Sequence, residues 1–138
     1  KIMSNIEKTL SIIKPDAVER NLIEEIKLFF KKNKFTIKQE KKIHITKEEA
    51  ADFYKVHQSK PFYDDLCAYL SSGPILVMIL EGENAVSHNR KIMGATDPAK
   101  AEENTIRKLY GISIDKNSVH GSDSLENAKK EIDFFFKN

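Results

Sequence analysis

Cysteine is almost missing from this sequence: Cys67 is the only one, so the chain can close no internal disulfide and build no cysteine cluster for zinc. A reducing, cytoplasmic setting is therefore expected. Proline and glycine are scarce, at 4 and 5 of 138 residues, which excludes a fibrous repeat and argues against disorder. Charge of one sign is not in excess, because 23 Lys and Arg face 21 Asp and Glu and leave +2. Such a chain lacks the field that holds a polyanion along its length, so any phosphate recognition must be local and sequence-specific nucleic acid is not an expected partner. Long hydrophobic runs are also lacking. The longest, Ile75 to Leu80 after Pro74, falls far short of the roughly 20 residues that span a bilayer, and no membrane partner is expected. There is no G-x-x-x-x-G-K-[ST] loop and no G-x-G-x-x-G segment, which excludes the phosphate cradles of P-loop enzymes, protein kinases and dinucleotide binders. His44, His57 and His88 show no metal-ligand spacing and read as surface or partly packed residues.

What is present has the size and balance of one domain over residues 1–138, with residues 1–6 as an N-terminal lead. Thr9 to Ile13 is a β-branched stretch closed by Lys14-Pro15-Asp16, where proline ends the ladder. Leu22, Ile26, Phe29 and Phe30 recur at helical spacing, and Phe35, Ile37, Ile43 and Ile45 alternate as on a half-exposed strand. Thr46 with Glu49 spells a capping box for a helix through Ala50, Phe53, Tyr54 and His57. Pro61 opens a further helix with the stripe Phe62, Leu66 and Leu70, and Ser71-Ser72-Gly73-Pro74 stops it. A buried strand follows at Ile75 to Leu80, then a turn at Glu81-Gly82, then a helix capped by Asn84 that reaches Met93 and stops at Gly94. Short strands are expected near Ile112 to Ile114 and Asn117 to Val119, and a last helix after Asp123 and Glu126. That order fits an α+β fold, a ferredoxin-like four-stranded antiparallel sheet with helices packed on it.

Chemistry concentrates at His120-Gly121-Ser122-Asp123-Ser124, where a strand gives way to a capped helix. A histidine held there with one ring nitrogen free is both base and nucleophile, and the helix N-terminus favours an anion. A plain glycine turn with an aspartate cap accounts for the same letters. Glu131, on the following helix, flanks the apolar stripe; it can orient the imidazole directly or through Ser122, or it can pair with Lys129 or Lys130 in solvent. Lys14, Arg90 and Arg107 each stand where a side chain can reach a common cleft, as phosphoryl transfer requires, although each alone also reads as a surface charge. Phe62 is placed to stack on a base or to join the core.

Taken together, these segments resemble the nucleoside diphosphate kinase family. The resemblance runs from about Glu7 to Phe136 through Ile13-Lys14-Pro15-Asp16, Lys60-Pro61-Phe62-Tyr63, Ser72-Gly73-Pro74, Asn89-Arg90 to Met93-Gly94, Ala95-Thr96-Asp97-Pro98-Ala99, Thr105-Ile106-Arg107 and Asn117-Ser118-Val119-His120-Gly121-Ser122-Asp123-Ser124. It implies a ping-pong exchange in which His120 takes the γ-phosphate of a nucleoside triphosphate and passes it to a nucleoside diphosphate. It further implies that Glu131 and Ser122 position the ring, and that Lys14, Tyr54 and Asn117 surround the transferred phosphate and ribose. Arg90, Thr96 and Arg107 would hold phosphates, while Phe62, Leu66 and Ile114 would receive the base without reading its edge. Mg2+ would arrive with the nucleotide, with Asp123 in its outer shell. The implied assembly is a homo-oligomer, tetramer or hexamer, built from dimers. Lys60 departs from the family's usual arginine, which removes a planar fork and keeps the charge. Two other readings keep the fold: a non-catalytic ferredoxin-like ligand-binding module, and a histidine-dependent phosphatase in which water takes the phosphate.

Overall fold

Two strands that are apolar on both faces decide the architecture, because each face must be covered. The computed structural model describes residues 5–136. Along it run β1 (Ile6–Ile13), α1 (Pro15–Glu19), α2 (Ile23–Lys32), β2 (Thr36–Ile43), α3 (Lys47–Phe53), α4 (Tyr63–Leu70), β3 (Ile75–Glu83), α5 (Ala85–Met93), α6 (Ile106–Tyr110), β4 (Val119–Gly121) and α7 (Leu125–Phe136), with 3-10 turns at Lys55–His57 and Pro98–Lys100. The strands lie in the order β2-β3-β1-β4, and every neighbouring pair is antiparallel. This is the ferredoxin-like α+β arrangement expected from the element order.

Side chains alternate across the central strands. Ile13, Leu76, Met78, Leu80 and Val119 face one way, and Ile26 and Phe30 of α2, Ala85, Ile92 and Met93 of α5, and Ile106 of α6 close over them. Leu10, Ile12, Ile75 and Val77 face the other way, under Ala50 of α3, Cys67 and Leu70 of α4, and Phe135 of α7. The two layers together fix where β4 can lie, and β4 carries His120.

Local chemistry sets the element ends. The capping box at α3 is complete: Glu49 N donates to Thr46 Oγ1 at 3.0 Å and Thr46 N donates to Glu49 Oε1 at 2.8 Å. Gly94 stops α5 at φ +88°, where a Cβ would fall 2.5 Å from Thr105 Oγ1, so glycine answers both the left-handed backbone and the close approach.

Several expectations need correction. β1 starts at Ile6, since its ladder with β3 runs from Ile6 opposite Glu83 to Ile13 opposite Leu76; Lys1 to Ser4 of the expected lead lie outside the described residues. The same ladder draws Glu81 and Gly82 into β3, where a turn was expected. Asn84 makes no side-chain cap; it takes φ 50° and its Oδ1 accepts from Asn5 Nδ2 at 3.1 Å. The helix after Asp123 is capped by Ser124, whose Oγ accepts from Asn127 N at 3.0 Å, while Asp123 Oδ1 takes the Asn127 amide instead. Residues Ile112 to Ile114 form no strand, because Ile112 N turns back to Lys116 O at 2.8 Å. β4 begins at Val119, not Asn117, since Ser118 leaves the extended region at φ 76°. The short helix α1, opened by Pro15, was not expected from the pattern.

Candidate functional site

Alternation on β4 aims the candidate nucleophile. Val119 is buried in the core under α5 and α6, so His120, one residue on and opposite Ile12, faces α3 and α7. There Glu131 of α7 meets it, with His120 Nε2 donating to Glu131 Oε1 at 2.8 Å. Ser122 Oγ donates to the same oxygen at 2.8 Å and accepts from Leu10 N at 3.4 Å. Of the two contacts open to Glu131 in the sequence, the one made is to the ring, in company with Ser122. Lys130 pairs with Glu126 at 3.6 Å. Phe53 of α3 packs edge-on against the imidazole, with ring centroids 5.4 Å apart. Because a carboxylate can only accept, the proton resides on Nε2, and Nδ1 keeps its lone pair with no hydrogen-bond partner among the described residues. Gly121 lets this strand lie close on α5, since a Cβ there would fall 2.4 Å from Asn89 Nδ2.

Three cations converge on the backbone that flanks His120. Arg107 Nη2 donates to Val119 O at 2.9 Å and its Nη1 to Gly94 O at 3.0 Å. Arg90 Nη1 reaches Asp123 O at 3.5 Å from the other side. Lys14, at the exit of β1, donates from its backbone to Ser118 O at 2.8 Å and from Nζ to Asn117 Oδ1 at 3.0 Å; Asn117 Nδ2 in turn donates to Thr96 O at 3.0 Å. Arg90, Thr96 and Arg107 line one open cleft of about 650 Å³ together with Ser87, Lys91 and Lys100. The electrostatics carry the mark of crowding. Burial, and then Arg107 beside it, bring the Lys14 amine from the usual 10.5 to about 8. Burial, and then Arg90, bring Arg107 from 12.5 to about 10. None of the three forms a salt bridge among the described residues, and Arg107 Nε is buried without a partner. Glu102 also lines the cleft, but none of the three cations is paired with a carboxylate among the described residues, and the local balance favours an anion.

In the layer of α3 and α7, Tyr54 is 5% exposed, and burial followed by the Glu131 charge pushes its phenol well above the ordinary range. The nearby Arg107 charge acts in the opposite direction. Phe62 and Ile114 offer apolar surface to solvent, at 47% and 55% exposure, whereas Leu66 is half-buried against the core. Lys60 holds Nζ 5.7 Å from the Phe62 ring centroid, so its charge lies over that ring. The His57 ring neighbours both Phe62 and Tyr54, with centroids 6.0 and 6.2 Å away.

The sequence did not mark the Phe53 contact; its only signal is its place beside Tyr54 at the end of a capped helix. Nor did it mark the carbonyls of Gly94, Thr96 and Val119, which steer Arg107 and Asn117, because backbone acceptors leave no trace in residue type. Among the described residues no three His, Cys, Asp or Glu side chains gather as metal ligands, and no helix is long and apolar enough to cross a membrane.

Comparison with known proteins points the same way as the geometry. A family described as "Nucleoside diphosphate kinase" matches residues 7–138. The chain is 57% identical over 131 residues to the nucleoside diphosphate kinase of Nitratiruptor sp., covering 95% of this chain and 96% of that protein. It is 56% identical over 131 residues to that of Rhizorhabdus wittichii, covering 95% and 94%. Among solved structures, the Aquifex aeolicus nucleoside diphosphate kinase superposes with a TM-score of 0.94 at 41% identity, over 96% of each chain.

Proposed function

The chain belongs to the nucleoside diphosphate kinase family, a family of phosphotransferases, and on that premise we propose that it carries the phosphoryl group on Nδ1 of His120. The observation behind this is the 2.8 Å bond from Nε2 to Glu131, which leaves the other nitrogen as the nucleophile.

In the first half-reaction the Nδ1 lone pair attacks the γ-phosphorus of a nucleoside triphosphate in line with the leaving oxygen. The N–P bond forms, the bond to the β-phosphate oxygen breaks, and that oxygen leaves with the electron pair as the nucleoside diphosphate. Positive charge grows on the ring as it does so, and Glu131 meets it through Nε2–H while Ser122 fixes the carboxylate. Lys14, Arg90 and Arg107 offset the charge spread over the moving group, with Asn117, Thr96 and Tyr54 as neutral partners of phosphate and ribose. In the second half-reaction a β-phosphate oxygen of another diphosphate attacks the same phosphorus and the N–P bond breaks. Phe62, with Leu66 and Ile114, supports the base through its π face, which every base presents, so the preference among bases is weak.

A divalent cation, which we take as Mg2+, fits a site whose donors are cations and amides only if the nucleotide's own phosphates and water hold it. When bound, it would neutralise charge on the phosphates. Asp123 suits its outer shell, because the Asn127 amide holds that carboxyl below its ordinary range and so ionised. We extend the reading to a cytoplasmic homo-oligomer, tetramer or hexamer, built from dimers. The buried, unpaired Cys67 and the long outer strand β2 support those two points.

The test is incubation with labelled ATP and Mg2+. It should yield an acid-labile, base-stable phosphoprotein that GDP discharges and that His120→Ala does not form; label persisting in the variant would refute the assignment.

A further inference from the structure

Ser118 holds a conformation that its residue type disfavours. It is fully buried, it takes φ 76°, and it stands between Asn117, which holds Lys14 Nζ, and Val119-His120 of β4. A non-glycine residue persists there only when its surroundings over-determine it. The surroundings are a closed set of bonds. Ser118 Oγ donates to Asp16 Oδ2 at 2.8 Å, and Arg20 Nη2 donates to the same Oδ2 at 3.0 Å and lies 3.2 Å from Ser118 Oγ. Arg20 Nη2 also reaches Tyr110 O at 2.6 Å, the end of α6 that bears Arg107. Tyr69 OH of α4 donates to Asp16 Oδ1 and accepts from Asp16 N at 2.9 Å. On the main chain, Ser118 O accepts from Lys14 N. One serine thereby ties α1, α4 and α6 to the two residues that lead into β4.

We propose that Ser118, clamped through its hydroxyl by Asp16, Arg20 and Tyr69, is a positioning residue for phosphoryl transfer: it fixes Asn117 and Lys14 relative to His120. None of the four side chains touches the reacting atoms. Their action is on geometry, where a displacement of an ångström at the transferred phosphate costs up to about a hundredfold in rate. The inference rests on His120 as the phosphate acceptor.

Two variants separate positioning from stability. Ser118→Ala removes the hydroxyl and keeps a Cβ at positive φ, so it loses both the clamp and some stability. Ser118→Gly removes the hydroxyl and relieves the backbone, so its melting temperature should stay at or above that of Ser118→Ala. Single-turnover phosphorylation of His120 by ATP is then followed by quenched flow, alongside ADP binding by calorimetry. Positioning predicts that both variants phosphorylate about tenfold more slowly with nearly unchanged ADP affinity, the glycine variant included. A wild-type rate in Ser118→Gly would overturn the proposal, since the hydroxyl would then serve only to hold the backbone. Should the glycine variant not accumulate as folded protein, the same step is read in Tyr69→Phe, which loosens Asp16 from outside: slowing supports the proposal, and a wild-type rate overturns it. Labelling of the wild-type chain, and its loss in His120→Ala, report on the acceptor separately.

Discussion

A lysine that is 6% exposed and has an arginine beside it holds its proton less firmly than one in water, and Lys14 turns that into a pH dependence. The charged amine is the form that meets phosphate. With its pKa brought down to about 8, kcat/KM for ATP should fall as pH rises through that value, while kcat persists to higher pH because bound phosphate favours the charged form. The stability sign is opposite. Between about 8 and 10.5 the folded chain binds fewer protons at this residue than the unfolded chain, so the lysine's own contribution to stability rises with pH across that window. A pH–rate profile measured with saturating Mg2+ checks the first statement, and a flat kcat/KM up to pH 10 would sink it. At this scale the sequence was most legible where a side chain itself marks the place: His120, Glu131 and Ser122 meet, and Lys14, Arg90 and Arg107 reach the backbone that flanks them. Phe53 and Ser118 were not legible, because one acts by a ring edge across the sheet face and the other by a backbone angle set by partners about a hundred residues away.

Elements are legible where their ends are chosen by neighbours in the chain and opaque where they are chosen by distant ones. Thr46 and Glu49 satisfy each other within one turn, so the start of α3 could be read directly. Ser124 and Asp123 both suit a cap, and only the approach of Asn127 shows which one serves. The extent of β1 and β3 is fixed by their mutual ladder, which composition does not encode; β4, at Val119–Gly121, is shorter than any periodicity can reveal. The capping box at α3 gives the prediction proper to this scale. Thr46→Ala should lower stability by about 1 kcal/mol in urea denaturation. It should leave phosphotransfer nearly intact, because Phe53 at the far end of α3 is held independently by Phe134 and Phe135, at 5.5 and 5.1 Å. An unshifted midpoint would show that the cap contributes nothing.

At the scale of the whole molecule, the sheet order brings together residues that the sequence keeps far apart. β1 delivers Lys14 next to β4, which carries His120; α5 and α6 supply Arg90 and Arg107 from one layer, and α7 and α3 supply Glu131 and Phe53 from the other. The imidazole is thus gripped from the layer of α3 and α7 through Nε2, and in the proposed mechanism its remaining nitrogen takes the phosphate. That division of the ring is the claim on which the mechanism depends. It is tested most directly by NMR of the base-stabilised phosphoprotein, in which nitrogen–phosphorus coupling identifies the phosphorylated atom of His120. Phosphorus on Nδ1, with Nε2 still protonated, is the result this structure predicts; phosphorus on Nε2 would contradict it.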